Sequence, residues 1–172
     1  MTTYSSSIKR KRENTMSETK ELNLEQKVTV KSIAGWNVGF PKLTETGDAL
    51  IAPGGSARFT RNEIITQVQN GNKLFVGTDG MGSHATLYIE DADTRKELEF
   101  DTEEYVQDVF SDAKLKKIFA LRSYDSFVEK FEDAIVTRAE MYAAISAIKK
   151  LKLNEYDKIQ FVKEYTGYKN IV

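Results

Sequence analysis

Histidine is the side chain best suited to moving protons near neutral pH, and this chain holds one, His84. Its neighbour is Ser83, and the surrounding Ala85 to Ile89 reads as a strand. Adjacent side chains on a strand point to opposite faces. Ser83 and His84 therefore do not read as a nucleophile–base pair, and His84 is expected to be a structural or interface residue. One histidine makes no metal cluster, and the lack of cysteine excludes thiol catalysis, disulfides and thiolate metal sites. Asp79 and the group Glu90, Asp91 and Asp93 offer carboxylate oxygens. The alternating ligands, central glycine and terminal glutamate of a calcium loop are missing around them, so they read as solvated turns. Gly54-Gly55-Ser56 and Gly80-Met81-Gly82-Ser83 resemble phosphate-cradling loops. Neither leads into Gly-Lys-Ser/Thr, nor has the dinucleotide spacing, and both read as turns. Arg58, Arg61 and Arg95 are expected in surface salt bridges. No catalytic, metal or cofactor-binding set is expected, and the chain does not read as an enzyme.

The other chemically pointed feature is a run of four cations, Lys9, Arg10, Lys11 and Arg12. Such a run suits phosphates or an acidic protein groove. It sits in a polar stretch, residues 1–27, with too few apolar side chains to offset ordering entropy. That stretch is expected to be a disordered tail; the sharper reading is an arm that orders on a partner through Lys9 to Arg12. It lacks the apolar segment of a signal peptide, and Met16 is a possible alternative start. The net charge of −1 supplies no global field toward nucleic acid or membrane. No apolar run approaches the roughly 18 residues of a membrane helix, so no membrane association is expected.

The elements that would position these groups fall into two further parts. Residues 28–101 are β-rich. Val28 to Ile33 alternates as a half-buried strand; Trp36, Val38 and Phe40 repeat at spacing two; Ala49 to Ala52 is a short apolar strand. Thr60-Arg61-Asn62-Glu63 has the form of a capping box, with Phe59 and Ile64 as its staple, and Asn70-Gly71 as its stop. One short helix is expected there. Lys73 to Gly77 and Ala85 to Ile89 read as strands about an Asp79-Gly80 hairpin turn, and Lys96 to Phe100 as another strand. The expected fold class is α+β: a small antiparallel β barrel or sandwich with one inserted short helix, followed by a helical C-terminal region.

Residues 102–172 read as about five short helices. Asp101 to Glu104 opens the first, with Tyr105, Val106, Val109 and Phe110 as its apolar face. Ser111 and Ser123 start the next two, Thr137-Arg138-Ala139-Glu140 is a capping box for the fourth, and Asn154 caps the fifth. In that last helix Tyr156, Ile159 and Val162 are expected inward, with Glu155, Asp157, Lys158, Lys163 and Glu164 outward. The short turn between the last two permits a helix-turn-helix, but its outer face is mixed in charge where a DNA reader is positive.

The phrases Thr60-Arg61-Asn62-Glu63-Ile64-Ile65 and Gly77-Thr78-Asp79-Gly80, continuing to Gly82-Ser83-His84-Ala85-Thr86, resemble small uncharacterised proteins of tailed bacteriophages of Gram-positive hosts. The likeness spans residues 32–89. It implies a phage context and a virion- or head-associated role, and transfers no catalytic residues. The expected function is therefore a phage structural or assembly protein that docks on other virion subunits or on itself. Lys9, Arg10, Lys11, Arg12, Trp36, Phe40, Met81 and His84 would form its partner surface, in the virion or host cytoplasm. The alternatives are a small nucleic-acid-binding regulator using the basic arm and a C-terminal helix-turn-helix, and a phage inhibitor of a host protein.

Overall fold

The computed structural model describes residues 21–171. The run Lys9 to Arg12 lies outside them. Residues 23–26 are tied to the first helix: the Arg61 and Asn62 backbone N–H groups donate to the Gln26 and Leu24 carbonyls at 3.0 Å each.

The alternation of Val28, Val30 and Ser32 with Lys27, Thr29 and Lys31 forms β1 (Lys27–Ser32), whose first set is buried. It is the central strand of a three-stranded antiparallel sheet ordered β4-β1-β5, with β4 at Ser56–Thr60 and β5 at Leu87–Ile89. Val28 faces Phe59, and Val30 faces Ile89. β2 (Val38–Pro41) and β3 (Asp48–Ile51) make a second, two-stranded sheet. Helix α1 (Arg61–Gln69) follows β4 directly, capped by the Thr60 hydroxyl accepting from the Glu63 N–H. Val30, Phe40, Ile51, Phe59, Ile64, Phe75, Leu87 and Phe100 build the first core.

The class is α+β with small antiparallel sheets and a helical C-terminal region, and no closed barrel forms. Several expectations are corrected. Lys73–Val76 is a helical turn, α2, rather than a strand, because the Asn72 side chain caps it through the Leu74 N–H. The strand expected at Lys96 to Phe100 is replaced by α3 (Ala92–Glu97), capped by Asp91 accepting from the Thr94 N–H. Residues 28–101 thus hold three helical segments, not one. The Asp79-Gly80 turn joins no hairpin, since α2 stands on one side of it. The Thr60–Glu63 capping box is only half made: the Glu63 carboxylate accepts instead from the Leu43 and Thr44 backbone at 2.9 and 2.8 Å.

Four helices follow rather than five: α4 (Asp112–Phe119), α5 (Tyr124–Ala134), α6 (Arg138–Leu151) and α7 (Tyr156–Thr166). No helix forms at residues 102–110. The Asp101 carboxylate that would start it is held instead by Arg95 Nε at 2.9 Å and the Gln107 N–H at 2.8 Å. Ser111, Ser123 and Thr137 cap their helices as read. Asn154 does not; Glu155 takes the N-cap position without a side-chain bond. Phe119, Phe127, Phe131 and Phe161 meet at the centre of the second core. Two side chains of α7 are reversed from expectation. Tyr156 is 76% exposed. Lys158 is buried, because its ammonium donates to the Phe119 carbonyl and, at 2.9 Å, to that of Leu121. The Phe119 carbonyl is one that α4 leaves without an intrahelical partner at its C-terminus, and Leu121 follows just after the Ala120 cap. Among the described residues no helix is long and apolar enough to cross a membrane.

Candidate functional site

The two cores meet along a seam, and two of the four surface residues expected in the β-rich part, Trp36 and His84, lie on it. Its first contact is built by the loop after α2. Gly77 has φ 68°, and a Cβ there would stand 1.9 Å from the Ser83 carbonyl oxygen. Only glycine fits this approach. Asp79 then gathers the loop: one carboxylate oxygen accepts from the Met81 and Ser83 N–H groups at 2.8 and 3.1 Å, the other from the Ser83 hydroxyl at 2.6 Å. The Ser83 hydroxyl, aided by the two N–H groups, outweighs burial and lowers the Asp79 pKa. The turn delivers His84 in the left-handed region, φ 57°.

His84 Nδ1 lies 2.9 Å from both carboxylate oxygens of Glu140. Glu140 is buried and belongs to the first turn of α6, where its side chain also accepts from the Thr137 and Val136 N–H groups at 3.0 and 3.2 Å. Facing an acceptor, Nδ1 is the donor, which leaves Nε2 to accept in the neutral ring. A carboxylate-oriented imidazole is the base half of a hydrolytic dyad. Ser83, however, directs its hydroxyl to Asp79, so Ser83 and His84 belong to separate networks. They occupy a loop rather than the strand expected.

The second contact is aromatic. A Cβ at Gly35 would lie 2.1 Å from the Tyr142 ring, so the ring of α6 rests on the Gly35 backbone. Trp36 meets that ring edge to face, with centroids 6.5 Å apart. Trp36 and Tyr142 are 44% and 39% exposed. Ala139, one turn before Tyr142, is buried in the first core although it belongs to α6. The third contact is Gln107, whose Nε2 donates to the Gly82 carbonyl at 2.9 Å. Among the described residues its buried Oε1 has no partner. A cleft of about 860 Å³ runs along the seam, walled by Lys31 and Tyr88 on one side and by Tyr142, Ser146 and Lys150 on the other. Lys150 is paired with Asp112 of α4, another residue of the lining, at 2.7 Å.

Of the surface residues expected from sequence, Trp36 and Met81 are exposed and His84 lies on the seam. Phe40 is corrected: it is 6% exposed, wedged 5.5 Å from both Phe59 and Phe75. Its place on β2 opposite Ala49 turns it into the first core. Sequence reasoning missed Tyr142 and the second role of Glu140. A signal existed for Tyr142, which falls off the apolar stripe of Met141, Ala144, Ile145 and Ile148. Among the described residues, no group of three or more histidine, cysteine, aspartate or glutamate side chains is placed to hold a metal.

No family model matches the chain, and neither any curated protein nor any solved structure matches it.

Proposed function

We propose that the chain is a structural or assembly protein of a tailed phage, virion- or head-associated, that works by docking onto a protein subunit or another copy of itself. The phage context comes from the likeness at residues 32–89. The observation that supports docking is the Trp36–Tyr142 pair. Both rings are partly exposed, yet each is held in place by the seam. Exposed aromatics that are already ordered lose little entropy on binding, and truncating such anchors typically costs about 2 kcal/mol or more.

Size-exclusion chromatography with light scattering, at low and high salt, tests this reading. Docking gives a salt-resistant oligomer, or a defined complex with purified virion subunits, that Trp36→Ala or Tyr142→Ala disperses. Association unchanged by both truncations overturns it.

One observation favours the nucleic-acid reading. The outward face of the three-stranded sheet carries Lys27, Lys31 and Arg58, with Tyr88 beside them under the Arg95 guanidinium at 5.0 Å. Cations around an aromatic ring suit a stacked single strand. This reading predicts bound nucleic acid that is released as salt rises. The outer side of α7 opposes phosphate, because Asp157 and Glu164 flank Tyr156 there.

A further inference from the structure

Helices α5 and α7 lie side by side in the second core, and three adjoining hollows of about 420, 470 and 380 Å³ run along their outer surface. Tyr124 lines all three, and Phe161 two of them. The floor of this groove is aromatic: Phe161 with the exposed rings of Tyr124 and Tyr156. Its rims are acidic, with Asp125, Glu129, Glu132 and Asp133 from α5, and Asp157 and Glu164 from α7. Among the described residues none of these six carboxylates is salt-bridged. One end is also lined by the cation Arg122, which among the described residues is salt-bridged to none of the six, and by Lys158, which does not neutralise them. Its ammonium is committed to backbone carbonyls and to Glu155. Burial first, then the charges of Glu132 and Glu140, raise the Tyr165 pKa.

A groove with this chemistry selects a cationic segment, since ammonium and guanidinium groups bind both carboxylates and aromatic faces. The chain itself contains one. Lys9, Arg10, Lys11 and Arg12 are its longest run of like charge, preceded by the apolar Ile8. The dimensions agree. The acidic row from 125 to 133 on α5 is about 12 Å long at helical rise, and four extended residues span about 13 Å.

We propose that the aromatic, acid-rimmed groove between α5 and α7 is the receptor for the chain's own Lys9–Arg12 run, supplied by the same copy or by a neighbouring one. This surface is separate from the Trp36–Tyr142 anchor, so either assignment can fail without the other.

Photocrosslinking of the full-length chain tests it. A benzophenone amino acid replaces Tyr156, which is exposed and dispensable to the core. After irradiation, cleavage behind glutamate releases residues 1–13 as one peptide, because Glu13 is the first glutamate. The expected product joins position 156 to residues 8–12, within one chain or between two, as its mobility on a denaturing gel shows. Its yield falls several-fold when salt is raised from 0.1 to 1 M, where the screening length shrinks from about 10 to about 3 Å. It falls likewise in the variant carrying Lys9→Glu, Arg10→Glu, Lys11→Glu and Arg12→Glu. Adding Glu129→Lys and Glu132→Lys to that variant restores it. A crosslink to any other segment, no crosslink, or a yield indifferent to charge reversal overturns the proposal.

Discussion

His84 and Glu140 are 56 residues apart in sequence, and the imidazole of one faces the carboxylate of the other at 2.9 Å. Glu140 is thereby shared between two tasks, holding the first turn of α6 and gripping the loop of the other core. Removing either partner has unequal consequences. His84→Ala leaves Glu140 with its backbone donors and should cost about 1–2 kcal/mol. Glu140→Ala also strips the Val136 and Thr137 N–H groups of their acceptor and should cost about 2–3 kcal/mol. Urea denaturation of both single variants and the double variant checks this. A double-variant loss equal to the sum of the singles would show that the two side chains are not coupled.

Gly35→Ala places a methyl inside the Tyr142 ring, so the ring must leave its seat on the backbone. Trp36 is the chain's single tryptophan, and its emission reports the loss of its neighbour. The expected result is a shifted emission maximum, abolished when Gly35→Ala is made in a Tyr142→Ala background. An unchanged spectrum in the single variant counts against the packing described.

Gly77→Ala meets backbone rather than a movable side chain, at a positive φ. It should cost about 2–4 kcal/mol and free the His84 loop. Hydrogen exchange at Met81 and Ser83, whose N–H groups bond to Asp79, should rise by more than the global destabilisation explains. Protection equal to the wild type at those amides would refute it.

Acid should weaken the first core through Glu63. Burial raises its pKa, but the Thr44 hydroxyl, the Gln67 amide and the Leu43 and Thr44 backbone N–H groups outweigh burial and bring it from 4.5 to about 2. A folded value below the unfolded one means that the contribution is complete above pH 4.5 and is lost as pH falls toward 2. After solvent screening it amounts to about 1–2 kcal/mol. Asp79 and Asp91 are lowered too and act in the same direction. Unfolding midpoints between pH 7 and pH 3 should fall in the wild type and fall less steeply in Glu63→Gln. Equal slopes would remove Glu63 from this role.

The local chemistry of helix starts was legible in the chain. Thr60, Ser111, Ser123 and Thr137 all cap where a hydroxyl precedes an apolar periodic run. What eluded reading were two carboxylates claimed by other donors, Glu63 and Asp101, whereas Glu140 completes its capping box and still reaches His84. Glu63 reaches Leu43 and Thr44 rather than its own cap, and Asp101 is taken by Arg95 before it can start a helix at 102. Leu74, Phe75 and Val76 look like strand residues by type. A four-residue apolar run carries no period, and the Asn72 cap decides it. The candidate surface was half visible for the same reason. Trp36 and Met81 stand out by type, whereas Phe40 is removed from the surface by its pairing with Ala49. Tyr142 becomes meaningful only beside Gly35.

Because Ala139 is buried among the β-strand residues while Ala144, Ile145 and Ile148 are buried among the helices, α6 is a beam set into both halves of the molecule. Neither half can melt without exposing part of the same rod. The chain should therefore behave in calorimetry as one cooperative body with a single heat-absorption peak, and cutting it between the halves should yield fragments that reassociate rather than two autonomous modules.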